Sequence, residues 1–505
     1  MRNRSKGITL AYLHTAVNMA CGLVLSSFLL RVLGDTEYGI YQTVASFANC
    51  LVLLEFGMGT VVVRNVAMCR GRMASPDEIQ RNISTIWTLT SGLCLVMAAM
   101  IIPFYLLTPT LYAESMTAEQ IAYAQKILIF IAAYLVLSFL SQTLNGVVLA
   151  FEHYAYGPIQ TTIRVLVRTL LIVVLLSAYR YAILIAVIDV VVNGACMVYS
   201  YWFCNKKLGL RLRLGVCDRT VFRSALPLCF AIFLQAIVNQ ANNNVAKLVI
   251  GIQMSPESVA LYSVSLYILS IFSSLTTIPV SLYAPAVTHK VAQGLQNMAL
   301  AKELVTPCRL TALIGGMVLF GFIAVGRQFI TLLYGAEYLE AWLIAIILMI
   351  PVYINMVNGV LVNVLDALNK RLSRSLVLIV SACLNIVLTV FLLEKWGIIG
   401  AAAAMAVSTF LGQVLAMNMY YKKVIGIPVL WLFAQAFRGI WAYLAMGCVA
   451  ALALRNAVAN ELGSFLLCGV VFVLIASGGY LCFGMADTEK EMLMKLVKKG
   501  DKRGQ

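Results

Sequence analysis

Uncharged apolar blocks of about 20 residues recur along the whole chain, separated by short polar connections. Two of them, Ile127 to Phe151 and Ala341 to Leu365, run 25 residues without a charge. A helix needs about 20 apolar residues to cross a bilayer, whereas a barrel strand alternates apolar and polar over about 10. The pattern therefore predicts membrane-spanning helices and excludes a barrel. Blocks fall near 8–33, 38–63, 83–107, 125–151, 158–178 and 181–204, then near 224–250, 258–284, 308–333, 340–366, 373–393 and 398–421. A further pair lies near 429–454 and 461–486, which makes fourteen expected spans. At the turns Tyr179 to Tyr181 and Trp396 to Gly397, one long helix and two tightly connected ones look alike in hydropathy.

Composition sharpens this reading. Of 505 residues, 62% are hydrophobic and 11% charged, against about 25% charged in soluble domains; mean hydropathy is +0.91. The excess of 37 Lys and Arg over 21 Asp and Glu gives a net charge of +16. With both termini placed in the cytoplasm, 27 of those cations fall in inside segments and six outside, a strong positive-inside bias. The basic balance thus reports topology and contact with anionic lipids; no single stripe of charge suggests nucleic acid. Arg2, Arg4 and Lys6 precede an uncharged run, Gly7 to Leu30, that exceeds the 7–15 residues of a signal-peptide core, so a first transmembrane helix is expected. The thirteen cysteines are scattered with no CxxC spacing and read as free thiols.

Two local matches suggest duplication. Asn145-Gly146-Val147-Val148 returns as Asn358-Gly359-Val360-Leu361, 213 residues later, and the end of the sixth block, Tyr201 to Lys207, resembles Tyr420-Tyr421-Lys422-Lys423. Six-helix units insert in the same orientation, giving parallel repeats as in alternating-access transporters. The expected organisation is a six-helix lobe (1–205), a basic cytoplasmic linker (206–223), a second six-helix lobe (224–423), two additional helices (424–486) and a basic tail (487–505).

The segment Leu30 to Ala67, with Leu33-Gly34, Glu37, Gly39, Tyr41, Gly57-Met58-Gly59, Arg64 and Ala67, resembles the first hairpin of the polysaccharide-unit flippases. These are the O-antigen type exporters of the multidrug/oligosaccharidyl-lipid/polysaccharide superfamily. The six-plus-six-plus-two helix plan resembles the same family across nearly the whole chain. The resemblance implies movement of an undecaprenyl-pyrophosphate-linked oligosaccharide from the inner to the outer leaflet for lipopolysaccharide or other surface polysaccharide. It also implies a monomer acting beside a polysaccharide polymerase and chain-length machinery.

Polar residues within the spans are the candidates for that task. Arg164 and Arg168 share a face of the fifth block and need a compensating partner: a pyrophosphate in a cavity, or headgroups to which they snorkel. The seventh block carries Gln235, Asn239, Gln240, Asn242, Asn243, Asn244 and Lys247. Unpaired amides in hydrocarbon are costly, so these either line a wet cavity or bond between helices; Lys247 is a further phosphate candidate or snorkels outward. His14 and Asn18 share a face of the first block, His14 as a packed residue or a proton carrier and Asn18 as a cavity residue. Asp189, Glu55 and Asp366 are the carboxylates inside or at the ends of spans, where a coupling ion could bind; Glu55 could equally pair with Arg64 or Arg70.

No nucleotide-binding loop, dinucleotide fingerprint or metalloprotease motif occurs, so no catalytic residue, metal or cofactor is expected. A multidrug/cation antiporter of the same superfamily is the nearest rival, and would favour an acidic cavity. A membrane-embedded polymerase or ligase would need a larger outside loop than about Thr108 to Ala124.

Overall fold

The computed structural model describes residues 2–485, apart from Phe56, Arg72, Tyr154, 241–243, 369–370, Asn456, Val458 and Ala459. Every regular element among them is helical. The chain forms two compact units, Met1–Ser263 and Val264–Gln505.

The first unit contains α1 (Arg2–Cys50), α2 (Met58–Gly71), α3 (Pro76–Leu111), α4 (Ala118–Ala150), α5 (Tyr156–Ala178), α6 (Ile183–Lys206), α7 (Arg219–Gln240), α8 (Ala246–Gln253) and the start of α9 (Pro256–Thr276). Local sequence sets several boundaries. Ser75 caps α3, accepting from the Glu78 amide, with Pro76 at the first position and Asp77 and Glu78 in the first turn. Thr117 and Gln120 form a reciprocal capping box at α4. α4 is the central element: Ile127, Leu128, Ile131, Leu135 and Phe139 are buried in one apolar cluster, and Leu144, Val147 and Val148 in a second. It crosses α2 so closely at Gly146 that an added Cβ would meet the Gly59 backbone.

The resembling hairpin has a structural account here. The chain leaves helical geometry inside α1 at Gly34 (φ 77°, ψ 174°), a conformation glycine adopts without Cβ strain. Glu37 accepts from the Ala182 amide at 2.8 Å and from the Tyr123 hydroxyl at 3.3 Å, so its carboxylate sits at the N-terminus of α6. The expected second span, 38–63, is interrupted by a 3₁₀ turn over Leu51–Glu55 and by a positive φ at Gly57 (65°).

The expected linker 206–223 is not a loose connection. Its backbone is fastened to the first turns of α3: the Arg211 amide donates to Gln80 Oε1 (3.2 Å) and Gln80 donates back to the Arg211 carbonyl. The Arg213 amide donates to Ser84 Oγ (3.3 Å) and the Asp218 amide to Thr85 Oγ1 (3.2 Å). The hydroxyl and amide of Thr220 donate to Asp218 and hold its carboxyl below the usual range. It therefore stays ionised beside Arg81, 3.9 Å away, as pH falls toward the ordinary carboxylate range.

The second unit holds the rest of α9, then α10 (Ile278–Ala292), α11 (Asn297–Leu333), α12 (Glu340–Val357), α13 (Val360–Ala367), α14 (Arg371–Ser408), α15 (Met417–Ile425), α16 (Val429–Phe437), α17 (Trp441–Ala453) and α18 (Glu461–Gly479). Thr409–Ala416 and Tyr480–Gly484 are wound as π-helix. Several expected spans are broken: 258–284 at Thr277, with Pro279 opening α10, and 340–366 at Asn358-Gly359.

Among the described residues, ten helical segments are long and apolar enough to cross a membrane, or eleven with Val429–Phe437 and Trp441–Ala453, bent by 46°, as one span. The expected count was fourteen. The shortfall has three sources: Leu13–Cys50 runs through Gly34 and Arg374–Ile425 through Gly397 (φ 58°, ψ −143°), each joining two expected spans, and the seventh expected span, 224–250, is not among these segments, its helix α7 ending at Gln240. All thirteen cysteines are free, as their scatter suggested.

Candidate functional site: a polar seam in the first unit

α5 places Tyr156, Gln160, Arg164 and Arg168 at four-residue intervals, which puts all four on one stripe. α6 runs back along this stripe and presents Ser200, Asn193 and Asp189 to it. At one end the Tyr156 hydroxyl donates to Ser200 Oγ (3.1 Å), and Gln160 Nε2 donates to Ser200 Oγ (2.8 Å) and the Cys196 carbonyl (3.1 Å). Midway, Arg164 Nη1 donates to Asn193 Oδ1 at 3.0 Å, and Asn193 Nδ2 donates to the Asp189 carbonyl at 2.8 Å. At the far end Arg168 grips Asp189 with two parallel bonds, Nε to Oδ1 and Nη2 to Oδ2, the second at 3.0 Å.

Burial makes the seam costly unless each group is satisfied. Asp189 is 7% exposed, Asn193 2% and Ser200 fully buried. Gln160 Oε1 is buried and has no partner among the described residues. Tyr41 of α1 and Tyr134 of α4 lie within electrostatic reach of the Arg168–Asp189 pair. On the α1 side, His14 Nδ1 lies 3.3 Å from Thr162 Oγ1, and His14 feels the charge of Arg164. Because Asp189 neutralises Arg168, the seam carries one net positive charge, on Arg164, whose hydrogen-bond partner is a neutral amide.

Arg168 and Asp189, expected to serve phosphate binding and ion coupling separately, are thus partners in one ion pair. Asn18 is exposed. Glu55 pairs with neither Arg64 nor Arg70; it accepts from Gln142 Nε2 at 3.2 Å, while Arg70 donates to the Ala150 carbonyl (2.9 Å) and lies 3.7 Å from Glu152. Asn244 donates to Gln240, and Lys247 is partly buried in α8. Gln235 and Asn239 lie on α7, but their side chains, with all of Asn242 and Asn243, fall outside the described residues. Asp366 is exposed at the end of α13.

Sequence reasoning stopped short of Tyr156 and Gln160, although carrying the Arg164/Arg168 spacing back by one and two turns reaches both. It also counted Arg309 and Arg374 only as loop cations. Arg309 is 5% exposed and donates to the carbonyls of Gln435 (3.0 Å), Arg438 (2.8 Å) and Gly484 (2.8 Å), tying α11 to the ends of α16 and of the π turn after α18. Arg374 lines a cavity of the second unit.

Long apolar helices with charged groups satisfied between them define a multi-pass helical membrane protein. Residues 5–291 match the family described as "Polysaccharide biosynthesis protein", more than half of the chain, and the protein belongs to that family. No curated protein matches it by sequence. Among solved structures, the lipid II flippase MurJ in an inward closed conformation superposes with a TM-score of 0.70 at 15% identity, covering 94% of this chain and 99% of that one. An inward-facing multidrug resistance MATE family transporter of the MOP superfamily gives 0.60 at 14% identity, covering 83% and 98%. A eukaryotic MATE transporter gives 0.58 at 15%, covering 83% and 95%. The fold is therefore the one shared by MurJ and the MATE transporters.

Proposed function

We propose that this protein is an alternating-access transporter that flips an undecaprenyl-pyrophosphate-linked oligosaccharide from the inner to the outer leaflet of the cytoplasmic membrane, for surface polysaccharide biosynthesis. The observation that carries this reading is the net positive charge left on Arg164 within the polar seam between α5 and α6. An anionic pyrophosphate would compensate that charge, whereas a cationic drug would be repelled by it, so the antiporter alternative is disfavoured. Family membership and the MurJ-like fold support the same substrate class. The flipped unit would then pass to a polymerase and chain-length machinery.

Fourteen crossings and two parallel six-helix repeats belong to this proposal. A 52-residue helical run such as Arg374–Ile425 would be roughly 78 Å long at 1.5 Å per residue, more than twice a hydrocarbon core of about 30 Å, so a reversal at Gly397 is required. Matching bonds support the repeat. Ser200 Oγ donates to Asn145 Oδ1 (3.5 Å) between the fourth and sixth predicted spans. Asn358 Nδ2 donates to Asn418 Oδ1 (3.0 Å) between the tenth and twelfth.

Both termini are placed in the cytoplasm. An impermeant maleimide is expected to label a cysteine introduced at Thr117 in intact cells and to leave Cys217 unlabelled until the membrane is opened. Cys217 is exposed and reports faithfully, unlike Cys69, which is buried; reversed labelling would invert the direction of transport.

Arg164→Ala is expected to lower polysaccharide export at least tenfold, roughly the worth of one charged hydrogen bond, at normal membrane abundance. Arg164→Lys should restore little of it, because an ammonium lacks the planar fork that matches phosphate. Full export by both variants would remove Arg164 from the mechanism.

A further inference from the structure

The second unit carries a half-open cavity of roughly 220 Å³, lined by both apolar and polar side chains, that none of the assignments above uses. Its wall is built from six helical segments. Thr277 comes from the start of α10, Asn355 from α12, Asn363 from α13, and Arg374 from the first turn of α14. Gln413 and Tyr421 come from the π-helical stretch and α15.

Three features set this cavity apart from a packing defect. First, Arg374 forms no ion pair within 4 Å among the described residues; the Tyr421 phenol lies within electrostatic reach of it and of the exposed Asp366 carboxylate. A guanidinium lining a cavity between apolar helices is offset by an anion or by water. Second, Arg374 lies in the first turn of the long helix α14, whose dipole adds positive potential. Third, Gln413 is presented by eight residues of π-helix, a wide turn that costs backbone stability and is found mostly where a side chain must be re-aimed. Gln413 Oε1 accepts from Asn355 Nδ2 (2.9 Å) and Asn363 Nδ2 donates to the Val280 carbonyl (3.2 Å). Each amide therefore keeps one polar atom for a ligand: the Asn355 and Asn363 oxygens accept, and the Gln413 amino group donates.

We infer that this cavity is a second binding site, distinct from the seam in the first unit, for a phosphate group that carries sugar hydroxyls, with Arg374 holding the phosphate and the Asn355–Gln413 pair and Asn363 reading hydroxyls. Such a group comes from two sources, a soluble sugar phosphate or the head of the lipid-linked substrate. The site deepens the transport reading in the second case and is independent of it in the first.

The protein, reconstituted in nanodiscs of phosphatidylcholine, is titrated with glucose 1-phosphate and with undecaprenyl pyrophosphate, and heats of binding are recorded. Arg374→Gln is expected to weaken one or both ligands at least tenfold, and Asn363→Ala to weaken glucose 1-phosphate several-fold with less effect on undecaprenyl pyrophosphate, which lacks the sugar. Loss of the soluble ligand alone assigns the site to a free sugar phosphate; loss of both assigns it to the lipid-linked head. Arg164→Ala, in the other unit, should leave glucose 1-phosphate binding intact while lowering export at least tenfold, so failure of the transport reading and failure of this site give different patterns. Arg374→Lys keeps the charge and serves where Arg374→Gln does not fold; it should bind more weakly than the parent. Absence of binding by the parent protein, or unchanged affinity in the Arg374 variants, overturns the proposal.

Discussion

Asp189→Ala is expected to be the most damaging single substitution in the first unit. It strands the Arg168 guanidinium, whose side chain is only 29% exposed, between α5 and α6 without its carboxylate. Removing one partner of a buried pair costs about 3–5 kcal/mol, because the remaining charge keeps its desolvation penalty and loses its compensation. Asn193 does not share the damage: its Nδ2 bonds the Asp189 backbone carbonyl, which alanine keeps, and its Oδ1 still receives Arg164. Substituting both partners by apolar residues, Arg168→Met with Asp189→Leu, should recover most of the loss, because an ion pair replaced whole by well-packed side chains is often nearly neutral. Thermal unfolding of the detergent-solubilised protein measures all three variants. A double variant as unstable as Asp189→Ala would mean that the pair's charges are not what the surrounding helices are built around.

Arg309→Met should be the corresponding loss in the second unit. One buried guanidinium donates to three carbonyls, and hydrogen bonds to charged groups are worth about 1.5–3 kcal/mol each. A loss of at least about 3 kcal/mol is expected, concentrated in α16 to α18, where hydrogen exchange of the backbone would rise first. Arg309→Lys keeps the charge but cannot reach three acceptors at once, so its stability should fall between the two. A change under about 1 kcal/mol in Arg309→Met would show that those carbonyls find other donors.

Hydropathy was a good guide to which stretches form long apolar helices and a poor one to where those helices break. Apolar composition does not register φ, so the departures from helical geometry at Gly34 and Gly397 and the interruptions at Leu51–Glu55 and Asn358-Gly359 were invisible to a window average. The fifth predicted span shows the same division within the site. That Arg164 and Arg168 share a face follows from helical spacing alone. That Asp189 and Asn193 receive them does not, because pairing depends on which neighbour α6 turns toward α5, and one sequence carries no record of that. Glu37 is the converse case: it was noticed as part of a resembling hairpin, and only its bond to the Ala182 amide gives it a physical role. Arg374 and Arg309 were misjudged for a single reason. A cation near the end of a predicted span reads as interfacial, and the sequence does not tell an outward arginine from one facing a cavity or a set of carbonyls.

The strap between α6 and α7 has a mechanical consequence. Twelve residues, 207–218, could reach about 40 Å if extended, a leash long enough to let the helices it joins wander independently. Fastened at Arg211, Arg213 and Asp218, the same residues have almost no slack, and their path is dictated by Gln80, Ser84 and Thr85 on one helix. α7 is therefore geared to α3 through a taut connection, and any displacement of its first turn is shared with α3 before it reaches α6.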